Sequence, residues 1–399
     1  MPPPPDCVDI AVVGGGLAGL LAALTLARAG RSVALFAPAR PADERTTALL
    51  GDSVAALREA GLWPALADVA APLRAIRIID ATRRLIRAPE VLFHADELGL
   101  EAFGYNIANR SLLGAMDAAV AAAPIRRIAA PVERLAYRRD DTVALVAASG
   151  EEVAARLVVA ADGRGSATRG FAGIGFERRD LPQAALVGDF AHARPHDDIS
   201  TEFHTEHGPF TLVPMLGQRS ALVWVNEPDE ARRLAGLPPP ALAEAVETRA
   251  SSILGAMTLE GAAQVFPLAA AQAERYGGRR VVLIGEAAHV VPPIAAQGFN
   301  LTVGDIRALA DLATAADDPG GAEVTDGYDA ARRGAVQLRA SAVQLLNRSL
   351  LSSLLPAQGL RGLGLFALDR ITWLRRLVMR EGLGSATPTG TDRPAPPLL

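Results

Sequence analysis

The sequence predicts an α/β fold: a parallel-sheet nucleotide-binding domain assembled from separated segments, an inserted antiparallel-sheet domain, and C-terminal helices. Three observations lead there. Val8 to Val13 is a short apolar run closed by Gly14-Gly-Gly16-Leu-Ala-Gly19, followed by an Ala/Leu-rich stretch to Ala29 and a second apolar run from Ser32 to Phe36. Strand, glycine turn, helix, strand is a βαβ unit. Between about 181 and 226 the chain is extended and alternating, as in Phe210-Thr-Leu-Val-Pro214 and Ala221-Leu-Val-Trp-Val225, which fits a second, antiparallel sheet. The run Val281 to Ile284 then returns the chain to the first sheet, so the nucleotide domain is discontinuous.

The remaining elements follow in order. Arg45 to Leu66 has helical spacing, and Ile76 to Val91 reads as a hairpin with arginines on one face. Asn109 precedes Leu112, Leu113, Met116 and Val120, the pattern of a helix with an asparagine cap. From Ile128 to Val159 three short runs form a β-meander whose last strand, Arg156-Leu-Val-Val-Ala-Ala161, is buried and stops at Asp162-Gly163. Pro238-Pro-Pro240 leads into a helix, and Leu360, Leu363, Ala367, Ile371, Leu374 and Val378 recur at helical spacing beside Trp373. The expected division gives residues 1–75, 101–180 and 273–335 to the nucleotide domain, and the hairpin 76–100 with 181–272 to the inserted domain. A helical segment at 336–385 and a disordered tail at 386–399 complete it.

At 399 residues the chain exceeds one ordinary core. Forty Lys+Arg against 44 Asp+Glu give a net charge of -4, which offers no bulk attraction to nucleic-acid phosphates, so no nucleic-acid partner is expected. All 40 basic residues are arginine, which excludes a Schiff-base lysine and a P-loop lysine. The single Cys7 can form neither an internal disulfide nor a cysteine metal cluster, and His204 and His207 lack any further ligand pattern. No metal is expected. The start, Met-Pro-Pro-Pro-Pro-Asp, has no basic n-region, and no apolar run reaches the ~18 residues of a spanning helix. The expected compartment is the cytoplasm.

Three motifs carry chemistry. In the first, Gly14 allows the tight turn, Gly16 lets backbone approach a pyrophosphate, and Gly19 lets the helix pack on the strand while its N-terminus faces the anion. A bare GxGxxG is weak, but here a strand precedes it and a helix follows. The acid expected about 20 residues on, for ribose hydroxyls, is missing, because the chain there reads Phe36-Ala-Pro-Ala39. The second motif is Ala160-Ala-Asp162-Gly163-Arg164-Gly-Ser166. The third is Gly285-Glu286-Ala-Ala-His289, followed by Pro292-Pro293 and Ala296-Gln-Gly298-Phe-Asn300. Each alone reads as a strand-ending turn; together, in this order and at these separations, they are specific. Arg83-Arg84 and Arg178-Arg179 read as solvated faces.

At these motifs the chain resembles the flavoprotein aromatic hydroxylases with the para-hydroxybenzoate hydroxylase fold, and within them it is most similar to the ubiquinone-biosynthesis hydroxylases. The likeness runs from Asp9 to about Gly384 and includes Arg45-Thr-Thr-Ala48 and Tyr328 to Arg333. It implies a Rossmann-like FAD-binding domain in which Gly14, Gly16, Gly19 and Arg45 hold the cofactor phosphates and Asp162-Gly163 lies along the path of FAD and of the nicotinamide nucleotide. Asn109, Gly285, Glu286 and Asn300 are counted with the cofactor site. Glu286 stands where an aspartate is usual, Ala296 where a glycine is, and Pro292 where a histidine is. Pro293 would lie on the flavin-ring side, and a helix opening near Gly298 would stabilise charge on the flavin ring. His289 has a suitable pKa range for a general base, but the matching family position is structural.

The implied chemistry is reduction of FAD by NAD(P)H, a transient co-substrate, followed by transfer of one oxygen atom from O2 to an electron-rich ring. The implied substrate is a polyprenylated phenol or quinol precursor of ubiquinone. Two other classes share the fingerprint: a flavoprotein reductase acting on isoprenoid double bonds, and a non-catalytic flavin-binding subunit of a quinone-biosynthesis assembly. Within 360–380, Arg361, Arg370, Arg375, Arg376 and Arg380 oppose only Asp369. That stripe suggests contact with an anionic membrane surface, peripheral to the inner membrane, or simply domain packing with solvated arginines.

Overall fold

A computed structural model describes residues 7–82, 89–138, 141–292 and 296–351, with Arg376 and Met379 beyond them. The strand β1 (Cys7–Val13), the helix α1 (Leu17–Arg28) and the strand β2 (Val33–Phe36) form the expected βαβ unit. β1 lies in the middle of the first sheet, pairing in parallel with Glu152–Ala160 on one side and β2 on the other. Its Ile10, Ala11 and Val12 are fully buried, as a strand covered on both faces requires. Ile125–Ile128 extends the sheet beyond β2, and Val281–Leu283 extends it beyond Glu152–Ala160, both in parallel. The expected meander is present as Val132–Tyr137, Val143–Ala147 and Glu152–Ala160.

The second sheet runs in the order His289–Val290, Met257–Ala273, Phe176–His192, Arg219–Asn226, Gly208–Met215, Ile199–Thr205, Ala75–Asp80, Val91–His94. It is antiparallel except where Ile199–Thr205 pairs in parallel with Ala75–Asp80. The hairpin therefore joins this sheet, although residues 83–88, which carry Arg83-Arg84, lie outside the described residues. On one face, Leu186, Phe190, Leu222 and Trp224 pack against Leu234, Leu242 and Val246 of the helices Pro228–Ala235 and Pro239–Arg249. Phe210 stands edge-on to both Phe203 and Trp224, at 5.5 and 5.2 Å between ring centres.

Three differences from the sequence expectation have physical causes. Thr46–Leu50 is a strand, not the start of a helix, because it pairs antiparallel with Gly104–Ala108; helices begin only at Gly51–Glu59 and Trp63–Leu66. Its paired threonines suit an extended chain. Asn109 is the first residue of its helix and Ala108 occupies the cap position without a side-chain bond; the Asn109 amide is drawn instead to Thr47 and Asp43. The 17-residue strand Met257–Ala273, pairing along Phe176–His192, was not legible, because its Ala/Gln-rich sequence lacks clean alternation. The amphipathic stripe at 360–378 lies outside the described residues apart from Arg376; Met379 is buried beside Val91, Phe93, Ala95 and Phe103.

Candidate active site

The three motifs meet at the ends of neighbouring parallel strands. Gly14 has φ +125°, and a Cβ there would lie 2.3 Å from the Ala161 carbonyl oxygen, so the first motif touches the second with no room for a side chain. Gly19 packs equally tightly: a Cβ would stand 1.9 Å from the Gly14 carbonyl oxygen. A Cβ on Gly285 would be 3.5 Å from that of Ala18, which brings the third motif against α1.

Gly16 differs from both. A Cβ there would meet nothing within 4 Å, so nothing inside the protein demands glycine. The open space lies at the N-terminus of α1, where amide groups and the helix dipole favour an anion. A cradle that a side chain would fill is what a pyrophosphate approaching the backbone needs. Gly163 and Gly298 likewise face space that no protein atom occupies within 4 Å.

Asp162 shapes the second motif by accepting from Ser166 Oγ at 2.5 Å and from the Thr168 amide at 3.0 Å. Ser166 in turn caps the short helix Ala167–Phe171 through the Arg169 amide. Arg164 then reaches the third motif, donating from Nη2 to Glu286 Oε1 at 3.1 Å and from Nε to Oε2 at 3.3 Å, both side chains being half exposed. Arg45 donates from Nε and Nη2 to Asp43 at 2.8 and 2.7 Å and lies over the ring of Phe266, at 5.6 Å, on the long strand of the second sheet. The Asp43 hydrogen bond, with a further contribution from Glu286, raises the guanidinium pKa. Burial pushes the Asp43 carboxyl up, but hydrogen bonds from Arg45 and Asn109 outweigh it and hold the carboxyl below its usual range. Asn109 completes the group, accepting from Thr47 Oγ1 at 2.6 Å and donating to Asp43 Oδ2 at 2.9 Å.

Asn300 serves as a staple. Its Oδ1 accepts from the Leu50 amide and Ser53 Oγ, while Nδ2 donates to the carbonyls of Ala48 and Ala296, at 2.6 to 2.9 Å throughout. The side-chain amide is thereby fully used by protein, and only its backbone is available to a ligand. It fixes the N-terminus of the helix Gln297–Ala315, which opens one residue before Gly298. Ala296, capping that helix, keeps the left-handed backbone (φ +53°) that favours glycine. Pro293 lies outside the described residues.

His289 is buried. Its Nε2 is 2.7 Å from Oδ2 of fully buried Asp305, which also accepts from the Gly285 amide at 3.0 Å and from Arg332 Nε at 2.8 Å. Burial raises the Asp305 carboxyl, yet His289, Arg332 and the Gly285 amide together hold it below its usual range. The contact with Asp305 ties His289 to the helix Gln297–Ala315. Asp305 was not singled out from sequence, and Arg332 only as part of the stretch Tyr328 to Arg333. The only available cue was that Asp305 follows Asn300 by five residues on the same helix. His204 Nε2 meets Glu202 Oε1 at 2.8 Å while its Nδ1 is buried without a hydrogen-bond partner, and among the described residues no group of three acidic, histidine or cysteine side chains could hold a metal.

Comparison with known proteins gives the same assignment. The family described as FAD binding domain matches residues 7–342. The chain is 33% identical to ubiquinone hydroxylase UbiL of Rhodospirillum rubrum, covering 94% of this chain and 90% of that protein. It is 31% identical to 3-demethoxyubiquinol 3-hydroxylase of Escherichia coli, covering 94% and 98%. Among solved structures, p-nitrophenol 4-monooxygenase of Pseudomonas putida shares the fold, with a TM-score of 0.75 at 20% identity over 95% of this chain and 98% of that one. The chain belongs to the FAD binding domain family and is an FAD-dependent monooxygenase that uses NAD(P)H as co-substrate.

Proposed function

We propose that this enzyme hydroxylates a phenolic ring of a polyprenylated ubiquinone precursor, taking the oxygen atom from O2. The observation that carries the proposal is the meeting of three motifs at the ends of neighbouring parallel strands, with open space at Gly16, in a chain whose relatives over nearly its full length include ubiquinone hydroxylases. FAD, when bound, accepts electrons from NAD(P)H and with O2 supplies the oxygen atom.

The protein binds and orients. The backbone of Gly14 to Gly16 and the N-terminus of α1 receive the pyrophosphate, Gly19 lets that helix approach, and Arg45 adds charge to the phosphates. Glu286 accepts from ribityl hydroxyls, and Asp162-Gly163 and Gly285 form the loops on either side. Asn109 and Asn300 position Asp43 and the helix at Gln297. The positive end of that helix, at Gly298, would stabilise charge on a flavin ring bound there. His289, bound to Asp305, holds the third loop in place and takes no proton from substrate.

The test is turnover of a short-chain prenylated phenol with FAD, NAD(P)H and isotopically labelled O2. One labelled oxygen in the product is expected. Turnover without O2, or product without label, would establish a reductase instead. Mass spectrometry of the quinone intermediates accumulating in a deletion strain then names the ring carbon.

A further inference from the structure

The end of β2 lacks the acid that ordinarily accepts hydrogen bonds from the adenosine ribose, and an arginine stands in the gap. Arg40 Nη1 donates to the Gly15 carbonyl at 2.8 Å, in the middle of the fingerprint loop. Its Nη2 bonds Asp117 Oδ2, on the helix Asn109–Ala122, and Arg127 Nη1 contacts the other carboxylate oxygen of Asp117 at 3.1 Å from the neighbouring strand. The backbone approach is close here: a Cβ on Gly15 would be 2.9 Å from the Ala37 methyl and 3.6 Å from Arg40 Nη1. A carboxylate reaching in from position 37 would therefore meet Arg40. The Arg40 side chain keeps 28% of its surface exposed. Two of its five N–H groups are committed, which leaves three donors.

We propose that Arg40 holds the adenosine ribose of FAD, donating to hydroxyl oxygens where the usual acid would accept from them. Asp117 is its positioning residue, with Arg127 keeping Asp117 in place. The assignment rests on the FAD reading above. Ribose hydroxyls both donate and accept, so reversing the polarity of the protein group preserves a hydrogen bond. A planar guanidinium fixed at two of its nitrogens is already ordered before the ligand arrives.

The experiment measures FAD and FMN dissociation constants of the apoprotein by flavin fluorescence, for wild type, Arg40→Ala, Asp117→Ala and the double variant. FMN lacks the adenosine. Either single substitution is expected to weaken FAD on the order of 10-fold while leaving FMN unchanged. The double variant is expected to be no weaker than Arg40→Ala alone, because Asp117 acts through Arg40. An unchanged FAD constant in Arg40→Ala, or equal losses for FAD and FMN, overturns the assignment. A wild-type apoprotein that binds neither flavin would overturn the FAD reading itself.

Discussion

Arg164 and Glu286 close an ion pair, 3.1 Å at its shorter contact, between two loops that leave adjacent parallel strands. Each loop follows its strand end directly, and the pair fixes their separation at the mouth of the site. Being half exposed, it contributes little to stability. In the function proposed above, it holds the Glu286 carboxylate for the ribityl hydroxyls. Glu286→Ala should weaken FAD binding by about 1 to 3 kcal/mol, the range for hydrogen bonds to a charged group. Glu286→Asp should be tolerated. Equilibrium dialysis decides the point, and an unchanged constant in the alanine variant removes Glu286 from the site.

Gly16 and Gly19 separate ligand binding from folding. Gly16→Val should fold normally, since a Cβ there meets nothing within 4 Å, yet purify without flavin. Gly19→Ala should instead lose about 1 to 3 kcal/mol of stability by overpacking against the Gly14 carbonyl. The flavin-to-protein absorbance ratio and the thermal midpoint read the two effects; a full flavin complement in Gly16→Val would mean the cradle is elsewhere.

Asp305 gives a pH dependence of known sign. Burial is outweighed by His289, Arg332 and the Gly285 amide, which hold its carboxyl below the ordinary carboxylate range, so its contribution to stability is present above that range and is lost as pH falls through the folded pKa. Asp305→Asn leaves the partly buried Arg332 without its charged partner and should cost about 3 to 5 kcal/mol at neutral pH. That deficit should narrow as pH falls below the ordinary carboxylate range towards the folded value, because the unfolded wild-type carboxyl takes up its proton first. Denaturant unfolding across pH checks this, and a constant deficit would contradict it.

Ala296 is strained. Glycine at this left-handed position should stabilise the protein by up to about 1 kcal/mol, through relief of the Cβ clash. A lower midpoint in Ala296→Gly would show that the surrounding loop, not the backbone angle, sets the energy.

The arginine-rich stretch at 360–380, described only at Arg376 and Met379, carries the sequence expectation of contact with anionic lipid, with domain packing as the alternative. No described helix is long and apolar enough to cross a membrane. Flotation with anionic vesicles should recover wild type and lose Arg375→Glu/Arg376→Glu; equal, negligible recovery of both assigns the stripe to domain packing.

The sheet that bears the fingerprint was legible because β1, α1 and β2 are buried by local, periodic apolar runs whose punctuation is glycine. The second sheet was half legible. Phe210 to Val225 alternates visibly, whereas Met257–Ala273 is specified by its long partner strand rather than by its own pattern. Within the site, glycines announced themselves by spacing. Arg40, Asp117, Asp305 and Arg332 did not, because each gains its role from a partner at least 16 residues away. Asn109 and Asn300 were found, but their side chains turned out to be committed inside the protein.

The spread of the three motifs along the chain also sets a timetable. Gly14 leaves the ribosome early, but Ala161 and Asp162, which close the turn against it, follow nearly 150 residues later, and Asp305, which tethers Gly285, completes the frame. At roughly 5 to 20 residues per second, the fingerprint waits on the order of tens of seconds for its neighbours. The cradle lacks its last tether until Asp305 has been made, and cofactor capture is expected to follow that point.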